Sequence, residues 1–329
     1  MKAWTGERDG KRLSYSLIDL PDPVPGPQDV LLRVRAAGLN LVDRFPKTSH
    51  FSHTPPSPVP IPGVEAAGEV AALGAEVRGF APGERVMAMV QAGCAELVCV
   101  HHSLLMRVPD GMPWTDAAAI PVSFVTAHDA LVTNGRLPPG GTLLINGATT
   151  AVGLAAMQIA RVRGASLVAG TSGSAEKLAR LRERGVDFPL LDDGTPVSER
   201  ILGATQGRGV DVVVDHLGAR VLNDTMAATA IGGRIVNVGR FAGTRGEIDL
   251  ELLAVRRITL IGVTFRTRSL AEHAAAVAAF MRDHAVHLAR GEMRPVIDRV
   301  FGFDALPEAI ERARRREQLG KLVLTVAGQ

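Results

Sequence analysis

The 329-residue sequence has few cysteines and few aromatic side chains. Its only two cysteines, Cys94 and Cys99, stand five positions apart on an extended stretch, so their side chains point to opposite faces and predict no disulfide. No repeated Cys-x-x-Cys spacing is present, which argues against a structural zinc lobe. Aromatic residues make up only 4%, whereas a nucleic-acid-binding patch would interleave them with its basic residues. The arginines of 312–316 alternate with glutamates on a helical pattern, which favours a solvated helix face over a nucleic-acid site.

Long apolar runs are also missing, since the longest fall well short of the ~20 residues that a membrane-spanning helix needs. The opening residues, MKAWTGERDG, lack the apolar centre of a signal peptide. Together with the scarcity of cysteine, this predicts a cytoplasmic protein without a membrane segment. The hydrophobic fraction of 46% and the net charge of +3 are those of an ordinary globular chain.

What the sequence does contain is a change of pattern along the chain. Up to about Val108, short apolar runs alternate with Pro/Gly punctuation, which predicts strands and loops. A helical pattern follows between Thr115 and Val132. From Gly141 to Val263, strands and helices alternate, which indicates a doubly wound parallel sheet. A helix at 270–289, a strand, a helix and a final strand complete the chain, and the last strand is expected to return to the first domain.

One strand–turn–helix segment, INGATTAVGLAAMQIARVRGA, has the character of a dinucleotide site. Small side chains let backbone amides approach a pyrophosphate, and a helix N-terminus adds partial positive charge. The candidate contacts form the run Ala148, Thr149, Thr150, Ala151, Val152 and Gly153. Because only Gly153 remains of the Gly-x-Gly-x-x-Gly pattern, a well-packed turn without a ligand is the alternative interpretation.

Ser172 stands about twenty residues beyond Gly153, at the end of the second predicted strand. An NAD-specific site has Asp or Glu there, whereas a serine with a nearby cation suits a 2′-phosphate. Ser172 and Lys177 therefore favour NADPH. The alternative is that this loop only caps a helix and that Lys177 is solvated.

The order of several motifs resembles a known family over nearly the whole chain. The motifs are GLNLVD at 38–43, PGVEAAGEVAALGAEVRGFAPGERV at 62–86, AAAIPVSFVTAHDAL at 117–131, the nucleotide turn, and the terminal GKLVLT. Together they are similar to the medium-chain dehydrogenase/reductase superfamily, in its zeta-crystallin-like quinone oxidoreductase branch. The resemblance implies an α/β fold with a GroES-like β-rich catalytic domain and a Rossmann domain. We expect the catalytic domain at 1–123, the Rossmann domain at 124–265, and a C-terminal return to the catalytic domain at 266–329.

The resemblance also implies roles for single residues. Asn40 would line the substrate pocket and Thr126 would approach the nicotinamide, while Val238 and Gly239 would flank its carboxamide. A turn-satisfying amide for Asn40 and a helix-packing hydroxyl for Thr126 are the alternatives. Zinc-dependent members hold their metal at the positions of Asn40, Val64 and Val122. Valine is not a metal ligand, so we expect no catalytic zinc.

Three departures from the family pattern affect the site. Phe45 stands where many relatives carry a tyrosine, so that position offers no hydroxyl as a proton donor. Thr150-Ala151 replaces a Gly-Gly pair in the nucleotide turn. Asp192 occupies the position of a tyrosine near the 2′-phosphate, and its carboxylate would repel that phosphate. His50 and His53, in a Pro-rich loop, are assigned no catalytic role.

The predicted function is NADPH-dependent, zinc-free reduction of a small quinone or α,β-unsaturated carbonyl compound. A non-catalytic nucleotide-binding protein on the same fold is the alternative from another class, and a zinc alcohol dehydrogenase is disfavoured by the missing ligands. The apolar run from Arg257 to Val263 predicts a homodimer through an edge strand, which a proline at Ile261 should weaken.

Overall fold

The computed structural model describes residues 1–9, 12–44 and 47–326 of the chain. They form two compact units, one from 1–125 with 265–329 and one from 126–264. The strands are β1 Lys2–Asp9, β2 Arg12–Asp19, β3 Asp29–Leu39, β4 Glu65–Leu73, β5 Arg85–Met89, β6 Leu97–His101, β7 Met106–Arg107, β8 Thr142–Asn146, β9 Leu167–Ser172, β10 Phe188–Leu191, β11 Val210–Asp215, β12 Thr229–Asn237, β13 Thr259–Gly262, β14 Ile297–Gly302 and β15 Lys321–Thr325.

The helices are α1 Trp114–Ala118, α2 Pro121–His128, α3 Ala151–Val162, α4 Ala175–Arg182, α5 Val197–Ala204, α6 Leu222–Ala228, α7 Leu250–Val255, α8 Leu270–Ala289 and α9 Leu306–Arg315. Short 3₁₀ turns span Leu41–Arg44, His102–Leu104, Ala219–Val221 and Phe303–Ala305, and a π-helical turn spans Asp129–Asn134. Within the described ranges, no helix has both the length and the apolar composition for crossing a membrane.

The first unit is built on a largely antiparallel sheet. Its strand order is β14-β15-β3-β4-β5-β7, with β6 also paired to β3, and β1 and β2 form a separate hairpin. The C-terminal strand β15 pairs antiparallel with β3, so that Leu322 lies opposite Leu39. The side chains of Leu32, Val86 and Leu324 are fully buried in the core of this unit. The last strand, β15, therefore belongs to the same sheet as strands from the first part of the chain.

The second unit contains a parallel sheet in the order β10-β9-β8-β11-β12-β13. Every residue of the central strand β8, TLLIN, is buried, as expected for a parallel strand that is covered on both faces. Leu144, Val213 and Ile235 belong to the core on one of these faces. The predicted α/β class with a doubly wound parallel sheet is confirmed.

The helix ends follow local chemistry. The hydroxyl of Thr150 accepts a hydrogen bond from the Gly153 N–H and so caps α3, and Ser269 forms a capping box with Glu272 at the start of α8. The helical pattern between Thr115 and Val132 corresponds to α1, α2 and the π-helical turn, with a break between α1 and α2. Pro121 supplies the reason, since a proline lacks the N–H that a helix interior needs and fits a first helical position.

Candidate functional site

Three polar residues end the central strands of the parallel sheet, and they form one hydrogen-bonded row. Asn237 Nδ2 lies 2.9 Å from Asp215 Oδ2, and Asn146 Nδ2 lies 3.4 Å from Asp215 Oδ1. The Leu217 and Gly218 N–H groups also donate to this carboxylate. Burial raises the pKa of Asp215. The row holds the carboxyl ends of β8, β11 and β12 in register, at the edge where open parallel sheets bind nucleotides.

Two glycines, Gly147 and Gly239, follow the ends of these strands. Gly147 has a φ of 76°, and a Cβ on it would lie 3.3 Å from His216 Cβ. A Cβ on Gly239 would lie only 2.7 Å from the His216 carbonyl oxygen. The Val238 and Gly239 N–H groups both donate to the Asp215 carbonyl oxygen, at 2.8 and 3.1 Å. Both glycines therefore pack against His216, and a side chain on either would crowd that residue.

The predicted pyrophosphate turn follows β8 directly. Ala148 and Gly153 are buried, whereas residues 149–152 are half-buried. The Ala148 N–H donates to Thr171 O at 2.9 Å, which holds the turn against β9. A Cβ at Gly153 would come within 2.8 Å of Ala148 O, so glycine is needed where α3 meets the turn. The turn therefore keeps the close helix–strand packing of a dinucleotide site even with Thr150 and Ala151 in place of glycines.

Ser172 ends β9 and is buried, with 5% of its surface exposed. Its Oγ accepts a hydrogen bond from the Ser174 N–H at 3.2 Å. The helix cap is Ser174, whose hydroxyl accepts from the Lys177 N–H at 3.3 Å. Capping of α4 thus falls to Ser174, and Lys177 is half-buried in the first turn of that helix.

Asp192 follows β10 and lies beside Ser172, because its N–H donates to Ser172 O at 2.9 Å. The sequence predicts that this carboxylate repels a 2′-phosphate. In the structure the Arg220 guanidinium forms a two-point ion pair with it, with 3.3 Å between Nη1 and Oδ1. The pKa of Arg220 is raised by its hydrogen bond to Asp192. Nothing in the local sequence signals this pairing of residues 28 positions apart.

In the first unit, Asn40 belongs to a buried charged network. Lys321 Nζ donates to Asn40 Oδ1 at 2.7 Å, and Asn40 Nδ2 donates to Glu65 Oε1 at 2.9 Å. Lys321 also forms an ion pair with Glu65, and both residues are almost fully buried. Asn40 Nδ2 reaches the Gly38 carbonyl only at 3.4 Å. The Asn40 amide is thus oriented mainly by two charged side chains, neither of which sequence reasoning had singled out.

Glu65 accepts hydrogen bonds from two of the residues that the sequence analysis singled out. Besides Asn40 Nδ2, the Val122 N–H donates to Glu65, with 2.7 Å between nitrogen and Oε2, and buried Val64 is the preceding residue. The part of the chain that the structure describes contains no group of three or more His, Cys, Asp or Glu that could hold a metal ion. The chemistry at this point is therefore a carboxylate neutralised by an ammonium group.

Asp43 lies next to this network and is 2% exposed. Its carboxylate accepts hydrogen bonds from the Asn40 N–H at 2.6 Å and from the Gly63 N–H at 2.9 Å. Burial nevertheless raises the pKa of Asp43 to about 7, against the lowering effect of those two donors.

Thr126 lies on α2 in the second unit and is half-buried. Phe45 lies outside the described residues.

A histidine pair in the first unit was missed by sequence reasoning. His53 Nε2 lies 2.9 Å from His273 Nδ1, and His273 Nε2 lies 3.3 Å from Met89 Sδ. The ring of Phe51 stacks on His53 at a centroid distance of 5.8 Å. Burial lowers the pKa of His273 to about 3. The pair ties the Pro-rich loop to α8, and the two histidines stand 220 positions apart, so no local pattern reveals their contact.

Comparisons with known proteins agree with this geometry. The chain matches the zinc-binding dehydrogenase family over residues 151–281 and the alcohol dehydrogenase GroES-like domain over residues 26–110. It is 31% identical over 318 residues to the synaptic vesicle membrane protein VAT-1 homolog of Rattus norvegicus, covering 92% of this chain and 78% of that protein. It is 27% identical over 297 residues to the quinone oxidoreductase of Pongo abelii, covering 89% of this chain and 87% of that protein.

Among solved structures, a quinone oxidoreductase of Pseudomonas syringae pv. Tomato DC3000 superposes with a TM-score of 0.83 at 26% identity, covering 99% of each chain. A GroES-like unit combined with a parallel dinucleotide-type sheet defines a class of oxidoreductases that use a nicotinamide cofactor. The chain belongs to the medium-chain dehydrogenase/reductase superfamily, which confirms the family predicted from its motifs.

Proposed function

We propose that the chain is a zinc-free, NADPH-dependent reductase of quinones or α,β-unsaturated carbonyl compounds. The observation that carries this proposal is the arrangement around Glu65. An amide and two valines occupy the positions of the metal ligands, and the Lys321 ammonium group neutralises the carboxylate. Such a centre offers no Lewis acid, so it suits a reaction in which substrate placement carries most of the catalysis.

The preference for NADPH is supported by the loop between β9 and α4. Ser172 replaces the acidic residue that reads the ribose hydroxyls of NADH, and Ser174 supplies the helix cap. Lys177 is therefore a candidate cation for the 2′-phosphate. Because Arg220 neutralises Asp192, the carboxylate beside Ser172 no longer opposes a phosphate there.

A nicotinamide dinucleotide suits the turn after β8, because Gly153 packs directly on Ala148 and lets α3 begin at the turn, with small side chains on either side. When bound, the nicotinamide supplies the hydride for the reduction. Val238 and Gly239 would border its carboxamide, and Thr126 would approach its ring. Asn40, held at Oδ1 by Lys321 and at Nδ2 by Glu65, would line the substrate pocket with a fixed amide orientation. Fixing that amide before substrate arrives lowers the cost of aligning the substrate.

The substrate class is supported by relatives over most of the chain length. The proteins of Pongo abelii and Pseudomonas syringae are named quinone oxidoreductases. Quinones and enones both require an apolar slot and an electron-poor carbon, and an apolar site recognises such features without charged partners. Both substrate types therefore belong to the proposal, and a comparison of rates must separate them.

The decisive experiment mixes the purified protein with NADPH and follows its fluorescence and absorbance before and after addition of benzoquinone, phenanthrenequinone or an α,β-unsaturated ketone. We expect altered fluorescence on binding and oxidation of NADPH with at least one acceptor, both unchanged by prior treatment with EDTA. NADPH binding without any turnover would support a non-catalytic nucleotide-binding protein instead. Turnover that EDTA abolishes and zinc restores would overturn the zinc-free mechanism.

We also propose a homodimer through the segment from Arg257 to Val263. Within this segment β13 is the outermost strand of the parallel sheet, and its Leu260 side chain is 40% exposed. An exposed apolar edge is an aggregation hazard unless it is paired. Pairing of two such edges around a two-fold axis would satisfy the backbone groups of both.

The two cysteines are unpaired, which suits a reducing compartment such as the cytoplasm.

A further inference from the structure

His216 is a buried histidine at the carboxyl edge of the parallel sheet. It follows directly after β11, and its N–H donates to Asn146 O at 3.1 Å, so the strand ladder continues through it. Only 2% of the residue is exposed. The chain bends at His216, directly beyond the row that Asp215 forms with Asn146 and Asn237.

The side chain of His216 leaves the backbone beside the nucleotide turn. Its Cβ lies 3.3 Å from the point where a Cβ of Gly147 would be, and Gly147 has no side chain to fill this space. On its other side, Gly239 packs against the backbone of His216. The side chain of His216 thus leaves the backbone between Gly147 and Gly239, at the candidate cofactor site.

The Nε2 atom of His216 is buried and has no hydrogen-bond partner among the described residues. Buried polar nitrogens in folded proteins nearly always have one. Burial also lowers the pKa of His216 to about 4, so the imidazole is neutral near pH 7 and its Nε2 offers one hydrogen-bond donor or acceptor position, depending on the tautomer. A dinucleotide bound along this edge of the sheet would provide the missing partner.

The sheet order tells which part of a dinucleotide would lie there. The pyrophosphate turn follows β8, and the residues proposed for the adenosine phosphate follow β9 and β10, on one side of β8. Strands β11 and β12 lie on the other side of β8. In sheets built from two mononucleotide halves, the dinucleotide crosses the edge at the central strand, with one nucleoside on each side. The nicotinamide nucleoside therefore falls beside His216.

We propose that His216 binds the nicotinamide riboside half of the cofactor, through a hydrogen bond between Nε2 and a hydroxyl or amide group of that half. This inference rests on the proposed dinucleotide function and adds a contact from a residue that the family motifs do not mark. It predicts a contribution to the affinity for the whole dinucleotide and none to the affinity for the adenosine half alone.

The test compares two ligands on four proteins. NADPH binding is measured by fluorescence titration, and binding of adenosine 2′,5′-bisphosphate, which lacks the nicotinamide riboside, is measured by calorimetry. The proteins are the wild type, His216→Leu, His216→Gln and a control, His102→Leu, in which a stacked histidine of the other unit is replaced. His216→Leu should raise the Kd for NADPH about 3- to 10-fold, the loss expected for one hydrogen bond. His216→Gln, whose amide can reach the same point, should restore most of it.

Binding of adenosine 2′,5′-bisphosphate should be equal in all four proteins, which also verifies that the variants are folded. An unchanged NADPH affinity in His216→Leu would overturn the inference. Equal weakening of both ligands would overturn it as well, because it would mean that His216 acts only on the shape of the unit. If the wild type binds NADPH no more tightly than adenosine 2′,5′-bisphosphate, the nicotinamide riboside half adds nothing to the affinity. The inference then fails, while the proposed phosphate site is retained. Failure of the wild type to bind either ligand would overturn the proposed function too.

Discussion

Lys321 Nζ donates a 2.7 Å hydrogen bond to Asn40 Oδ1, although 281 positions separate the two residues. The contact exists because β15, which begins at Lys321, pairs with β3, which ends at Leu39. Glu65 at the start of β4 completes the triad from the other side of β3. A buried charge from the C-terminal strand thus reaches the candidate substrate-pocket residue Asn40.

Replacing Lys321 with methionine should lower the free energy of unfolding by about 3–5 kcal/mol, because Glu65 would remain as a buried charge without its partner. The double variant Lys321→Met/Glu65→Gln should recover part of this loss. Urea denaturation measures both. The control is Lys2→Met, which removes an exposed ion pair with Asp19 and should cost less than about 1 kcal/mol. Equal losses for the two single variants would refute the importance of the buried triad.

The buried His273 predicts a loss of stability in acid. Its pKa is about 3 in the folded protein, mainly through burial and also through the nearby His53 and Arg268, against 6.5 as its ordinary value. The unfolded chain therefore binds the proton first, and stability falls as the pH drops below about 6.5. The contribution is about 1.4 kcal/mol per pH unit for one proton.

His273→Gln should remove this contribution, so the stability difference between wild type and variant should shift in favour of the variant by about 2 kcal/mol between pH 7 and pH 5. Urea unfolding at several pH values gives that difference directly. His102→Gln keeps His273 and should follow the wild-type curve. A pH-independent difference for His273→Gln would show that this imidazole titrates alike in both states.

Lys177→Ala should raise the Kd for NADPH about 10- to 100-fold and leave that for NADH nearly unchanged, because a charge-assisted contact with the 2′-phosphate contributes about 1.5–3 kcal/mol. Fluorescence titration with both cofactors measures the ratio. Arg182→Ala, at an exposed position in the last turn of the same helix, is the matched control. Equal affinities of the wild type for NADPH and NADH would remove the basis for the NADPH preference.

The edge-strand dimer requires a different substitution from the one that the sequence suggested. The Val263 N–H donates to Asn237 O, so the alternation along β13 directs the Ile261 N–H toward β12 and the Leu260 N–H to the open edge. A proline at Ile261 would damage the protomer's own sheet.

Leu260→Pro removes an outward donor and should weaken association while the protomer stays folded. Light scattering of the wild type should give twice the 34.8 kDa chain mass, and the variant should dissociate at higher concentration. The conservative Leu260→Val keeps the N–H and should remain dimeric. A wild-type protein that stays monomeric at micromolar concentration would exclude this interface.

The local elements were largely predictable, because they depend on nearest-neighbour chemistry. The apolar centre of β8, the small-residue turn after it and the 20-residue α8 with its Ser269 cap follow from periodicity and capping. Short elements such as β10, α5 and α7 carry too few residues for a periodic signal and escaped it. Pro121 accounts for the break between α1 and α2, which the helical pattern of this stretch did not reveal.

The sequence by itself determined the family, the fold class and the candidate cofactor turn, since ordered motifs and strand–helix alternation are written in contiguous residues. Only the tertiary structure decided which charges meet. It placed Lys321 on Asn40 and Glu65, Arg220 on Asp192, and His273 on His53. It also left His216 Nε2 buried without a protein partner among the described residues. Strand pairing and helix packing bring these groups together from positions far apart in the chain, and burial then sets their charge, which no local pattern records.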